Sequence, residues 1–217
     1  MASAPRSPRP WASTAPLAPR TLEVDGELRL RPLHEADEAA VAQAMADPQV
    51  LRWAAGLAVN AAPAADRARV WLLPRLTGWS AGVAPFAVVD TGGSDPGPGP
   101  GPGGTLLGYV GLRDINRVPD QAVAAYWVTP AARGRRIGAR ALDAVARWAF
   151  APTAADGLGL HRLSLDHSLA NEASCRVALA AGFRPEGTAR QSFLDPAGER
   201  HDSHLHARLA SDPTPAL

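Results

Sequence analysis

The sequence has a single cysteine, no lysine, no surplus of charge of either sign and no long apolar run, and each shortage removes a class of protein. One cysteine, Cys175, excludes an internal disulfide framework and any multi-cysteine zinc site, and fits a reducing, cytoplasmic compartment. Without an uninterrupted apolar stretch of about 20 residues, no helix is expected to span a bilayer. The first twenty residues carry five prolines and three arginines but lack the apolar core of a signal peptide, and read as a disordered tail. The 22 basic residues nearly balance 21 acidic ones, so neither a nucleic-acid field nor a strongly acidic substrate is implied, and neither nucleic acid nor, without a spanning helix, a membrane is expected as a partner. All 22 are arginine, a bias of the whole chain that lowers the weight of any local arginine cluster.

What is present suffices for one domain over residues 21–210, with tails at 1–20 and 211–217. Leu28 and Leu30 alternate with Arg29 and Arg31 as in a half-buried strand. Glu35 to Ala46 suits a helix stopped by Asp47-Pro48, and a second helix over Asp66 to Leu76 is interrupted by Pro74. Trp53, Trp71 and Trp79 in this region are core anchors or walls of an acceptor pocket. Phe86 to Asp90 reads as a strand, and residues 91–104 as a flexible loop, eleven of these fourteen being glycine or proline.

Strands follow at Leu106 to Leu112 and Val123 to Val128, then a helix from Arg136 to Phe150 with Ile137, Ala141, Val145 and Trp148 at helical spacing. A strand over His161 to His167 precedes Asn171 and a helix ended by Ala181-Gly182-Phe183. Strands at Thr188 to Leu194 and Ser203 to Leu209 flank a turn at Pro196-Ala197-Gly198. The order is that of a mixed α/β fold.

The segment from Tyr126 to Ala149 carries the chemistry. A strand, a short turn and a helix start direct free N–H groups and the positive end of the helix dipole into one crevice, an anion site. Arg133, Arg135, Arg136 and Arg140, with no acid between Thr129 and Ala141, add charge suited to a pyrophosphate. Asn171 is a candidate helix N-cap, with Ser174 at the third helical position. His204 and His206 share a strand face near His201, but without partner carboxylates at a clear spacing a polar strand face is favoured and no metal is expected. Cys175 is expected in an apolar setting, and no Cys-His-acid arrangement that would make it a nucleophile carrying the acetyl group is legible.

The run Tyr126-Trp127-Val128, the turn Arg133-Gly134-Arg135-Arg136-Ile137-Gly138 and the run Asn171-Glu172-Ala173-Ser174-Cys175 resemble the GNAT superfamily of N-acetyltransferases, closest to its RimJ/RimL branch. The resemblance implies a central, mostly antiparallel sheet of six to seven strands, splayed between the fourth and fifth, flanked by helices. It implies acetyl-CoA as co-substrate, held by Val128, Arg133, Gly134, Arg136, Ile137, Gly138, Ala139 and Asn171. Arg136 stands where the family's turn has its first glycine. The implied reaction is direct transfer to a primary amine of a protein N-terminus, amino sugar, polyamine or antibiotic. The main-chain N–H at Val128 would stabilise the oxyanion and Ser174 would protonate the thiolate. The glutamate many relatives carry on the fourth strand is missing from Gln121 to Ala125, leaving Asp166 or His167 as substitute bases. A silent acyl-CoA-binding sensor is the rival reading. Scattered tryptophans on an arginine-rich surface are compatible with a homodimer.

Overall fold

The computed structural model describes residues 17–91 and 103–217. Residues 92–102 of the glycine-proline segment read as a flexible loop, and most of the N-terminal tail, lie outside the described residues. Leu17 to Arg20, assigned to that tail, pack on the domain: Leu17 N–H donates to the Trp79 carbonyl at 2.9 Å, and the Arg20 guanidinium lies 5.4 Å from the Trp148 ring.

The elements in chain order are β1 (Leu22–Glu23), β2 (Leu28–Pro32), α1 (Glu38–Ala44) after a 3₁₀ turn at Glu35–Asp37, α2 (Pro48–Trp53), α3 (Leu57–Ala61) and α4 (Arg67–Leu76). There follow β3 (Ala84–Asp90), β4 (Leu106–Arg113), β5 (Gln121–Val128), α5 (Ile137–Phe150), β6 (Arg162–Ser168), α6 (Glu172–Ala180), β7 (Arg184–Leu194) and β8 (Arg200–Leu209). The strands form one sheet in the order β1-β2-β3-β4-β5-β6-β8-β7. Every neighbouring pair is antiparallel except β5 and β6, which run parallel. The eighth strand, beyond the six to seven expected, is the two-residue β1, too short to carry a period.

Side chains of the strands alternate between two cores, as the pleat requires. Phe86, Val88, Val110, Leu112, Leu163 and Leu165 face α5 and α6, whereas Ala87, Val89, Tyr109 and Trp127 face α1 to α4. Trp71 of α4, fully buried, anchors the second core with its ring 4.9 Å from Tyr109 and 5.4 Å from Trp127. Trp79 is also core; Trp53 is half-exposed, its ring 5.6 Å from that of Phe193 on β7.

Two expectations for the helical region are corrected. Helix α4 is not interrupted at Pro74: the residue loses its N–H donor, but the carbonyl it would have bonded belongs to Val70, on the exposed side where water serves. Between Met45 and Asp66 the chain makes α2 and α3, which carry no signal along the sequence because five or six residues are too few to display helical periodicity. Asp47 caps α2, its carboxylate accepting from the N–H groups of Gln49 and Val50.

Candidate active site

The sheet opens where it must. Strands β5 and β6 pair only from Gln121 to Val123 against Arg162 to Ser164, and beyond that point they diverge. On its other edge β5 stays paired to β4 as far as Gly108 opposite Val128. The N–H of Thr129 donates to the carbonyl of Leu107 at 2.9 Å, so Gly108 and Val128 form a non-hydrogen-bonded pair. The N–H and C=O of Val128 therefore point away from β4, into the gap between β5 and β6. Gly108 permits the close approach: a Cβ there would stand 2.4 Å from the Trp127 carbonyl oxygen.

Helix α5 begins at the mouth of the gap. Gly134 and Arg136 both have positive φ, +78° and +56°, which turns the chain sharply into the helix. The first-turn N–H groups of Ile137, Gly138 and Ala139 have no intrahelical acceptor, and no side chain caps them. By contrast α6 is capped, the Asn171 Oδ1 accepting from Ser174 N at 3.2 Å. Gly138 lets α5 approach its neighbours, since a Cβ would lie 3.2 Å from both the Tyr126 ring and Val177.

Arginine charge at the turn is less free than its sequence suggests. Arg133 pairs with Asp47 at 2.5 Å, Arg135 with Asp90 at 3.5 Å, and Arg140 with Asp25 at 2.6 Å and Glu27 at 3.2 Å. Burial works against ionisation of Asp47 and Asp25, but hydrogen bonds from the arginines and backbone N–H groups outweigh it and hold both carboxyls below the ordinary range. Among the described residues only Arg136 of the four has no carboxylate partner. The acids come from distant segments, Asp47 lying 86 residues before Arg133. The absence of acids within the turn is true only along the chain.

On the wall of the gap, the Tyr126 hydroxyl lies 2.9 Å from Ser174 Oγ. Tyr126 precedes Val128 by two residues and projects from the same face of β5, so Ser174 is held beside the opening into which the Val128 N–H points. Burial pushes the Tyr126 phenol up to about 12, partly offset by the Ser174 hydrogen bond, so it stays protonated. Ser174 makes this bond instead of closing a capping box with Asn171. The tyrosine's part was invisible along the chain, 48 residues away.

The structure separates the two substitute bases. Asp166 sits on the open side of β6, 48% exposed, 3.8 Å from Arg113. His167 is buried, with Nδ1 2.9 Å from the Ser168 carbonyl and Nε2 3.2 Å from Nε2 of His206. Both ring nitrogens face other buried protein atoms. Burial lowers the His167 pKa, the backbone contact to Ser168 opposing it and the neighbouring His206 and His204 reinforcing it. The apolar setting expected for Cys175 is also corrected: its Sγ lies 3.9 Å from both His204 Nδ1 and His206 Nε2.

The family model for the acetyltransferase (GNAT) domain matches residues 27–184, spanning the splay, the turn and α6. The chain belongs to the GNAT family. It is an acyltransferase whose chemistry is acetyl transfer. The fold of this GNAT domain is shared with the ribosomal-protein-S5-alanine acetyltransferase of Vibrio fischeri, at TM-score 0.68 and 20% identity, covering 90% of this chain and 100% of the other. Mycobacterium smegmatis RimJ, solved in complex with CoA-disulfide, is 22% identical with TM-score 0.68 and 88% of each chain covered. RimL, a ribosomal L7/L12 alpha-N-protein acetyltransferase, is 17% identical with TM-score 0.69, covering 88% of this chain and 94% of the other. No curated protein matches the sequence with significance.

Proposed function

We infer that this GNAT domain, within residues 21–210, binds acetyl-CoA across the mouth of α5 and transfers its acetyl group directly to a primary amine in the gap between β5 and β6. The observation that carries the reading is the Val128 N–H, turned by the register of β4 and β5 into that gap. The uncapped N–H groups of Ile137 to Ala139 suit the pyrophosphate, with the unpaired guanidinium of Arg136 beside them and Gly134 and Arg133 shaping the turn. Asn171 keeps its Nδ2 group available for the pantetheine arm while its Oδ1 caps α6.

In the step proposed, a neutral amine attacks the thioester carbon and the oxyanion accepts the Val128 N–H. The C–S bond then breaks and the thiolate takes the Ser174 proton. Tyr126 donates to Ser174 Oγ and frees the serine hydrogen for sulfur. The amine's proton leaves through water, Asp166 being the open carboxylate at the end of β6, and a proton returns to Ser174 Oγ from solvent before the next turnover.

The acceptor is proposed to enter beside Trp53, where Arg52, Leu57 and Asn60 of the helical region face Phe193 and Leu194 of the last hairpin. The fold shared with ribosomal-protein acetyltransferases supports a protein N-terminus as one acceptor class beside small amines. A cytoplasmic setting fits an acetyl-CoA user, and no helix among the described residues is long and apolar enough to cross a membrane. Acetyl-CoA turnover against a panel of N-terminal peptides, amino sugars, polyamines and aminoglycosides tests the reading. Release of free CoA that no amine accelerates would overturn it.

A further inference from the structure

Cys175, His167, His204 and His206 come from α6, β6 and β8, and their ligand atoms all lie within 4.8 Å of one another. The hydrogen bonds around them leave an unusual remainder. A carbonyl oxygen only accepts, so Nδ1 of His167, against the Ser168 carbonyl at 2.9 Å, carries a hydrogen in that contact. The same holds for Nδ1 of His206, 3.2 Å from the Phe183 carbonyl. Two neutral rings so bonded turn bare Nε2 lone pairs toward each other, and these stand 3.2 Å apart with His206 only 1% exposed. Opposed lone pairs in a buried space are relieved by a shared proton or by a metal cation, and a thiol and a third imidazole within 4.8 Å favour the metal. Histidines whose outer N–H donates to a backbone carbonyl are oriented as metal ligands are.

We propose that these four residues form a binding site for a borderline-soft divalent metal ion, zinc foremost, bound by Nε2 of His167 and His206, Nδ1 of His204 and the thiolate of Cys175. Bond lengths of about 2.0–2.1 Å to nitrogen and about 2.3 Å to sulfur imply tetrahedral edges of about 3.3 Å between nitrogens and about 3.6 Å between nitrogen and sulfur. The 3.2 Å and two 3.9 Å separations are close to those edges, and with the remaining pairs all within 4.8 Å side-chain movement completes the shell. Four protein ligands close the site to a reacting water, giving the ion a structural role. On binding, the thiol proton is released to solvent. The ion would tie α6 to the sheet at the residue next to Ser174, fixing the helix start that carries the serine.

The test uses untagged protein stripped with a chelator and then given zinc or cobalt(II) alone. Cobalt should produce tetrahedral ligand-field bands and a thiolate-to-cobalt charge-transfer band, which only Cys175 can supply because the chain has no other cysteine. One equivalent of zinc should bleach both and raise the melting temperature. Cys175→Ser should abolish the charge-transfer band, and His204→Ala, at a half-buried position that folding tolerates, should weaken zinc by more than about tenfold. Absence of tetrahedral bands, an octahedral spectrum lacking the thiolate band, or zinc affinity unchanged in both variants would overturn the proposal.

Discussion

The hydroxyl groups of Tyr126 and Ser174 lie 2.9 Å apart, joining the strand that bears the Val128 N–H to the first turn of α6. Capping of α6 does not depend on that serine side chain, because the cap runs from Ser174 main-chain N–H to Asn171. Chemistry and helix stability can therefore be separated by mutation.

Ser174→Ala should lower kcat by about 10²–10⁴, the usual worth of general acid catalysis, with CoA affinity and melting temperature little changed. Tyr126→Phe should lower kcat less. Asn171→Ala should instead cost about 0.5–2 kcal/mol of stability through the lost cap. Steady-state kinetics with calorimetric melting checks all three, and normal turnover by Ser174→Ala would remove the serine from the mechanism.

Alkaline pH should weaken the fold in a defined window. In the unfolded chain the Tyr126 phenol loses its proton at about 10, whereas the folded protein holds it to about 12. The stabilisation is therefore complete below pH 10 and is lost as pH rises through about 12. Denaturant midpoints should fall over that range. Tyr126→Phe should flatten the fall but not remove it, since burial also raises the Tyr109 phenol.

At the turn, Arg136→Gly should have opposite effects on stability and binding. Arginine at φ +56° occupies a left-handed conformation that favours glycine, so stability should rise by up to about 1 kcal/mol. CoA affinity should drop by about 1.5–3 kcal/mol if the guanidinium meets a phosphate. Calorimetric titration with CoA reads the second effect, and undiminished affinity would place Arg136 in solvent.

Asp47→Asn keeps an N-cap for α2 but releases Arg133, so CoA should bind more tightly and with a steeper salt dependence. Arg133→Ala, which leaves Asp47 unpaired near the anion, should bind more weakly. Equal affinities in the two variants would show that this pair does not sense the cofactor.

Asp143 and Arg208 form a buried ion pair at 2.8 Å, joining α5 to β8, and Arg208 also donates to the Ala181 carbonyl at 3.0 Å. Removing the acid strands a buried charge. Asp143→Ala should cost about 3–5 kcal/mol in chemical denaturation.

The sequence by itself determined the central frame of this protein. Alternating and buried runs at Leu28, Phe86, Leu106 and Val123, the helical spacing from Ile137 to Trp148, and the stop at Gly182 are local signals, and the strands and helices they mark form where expected. The anion-binding turn was legible for the same reason: its N–H groups belong to consecutive residues. Only the tertiary structure decided what meets that frame. Pairing across 86 residues sets Asp47 against Arg133, and the gap beyond Val123 gives the Val128 N–H its direction. His204 and His206 read as a polar strand face because their partners, His167 and Cys175, belong to other elements; β6 beside β8, with α6 packed over them, brings the four into one cluster. Periodicity reports which face of an element is buried, whereas long-range pairing and register decide which side chains share that buried space.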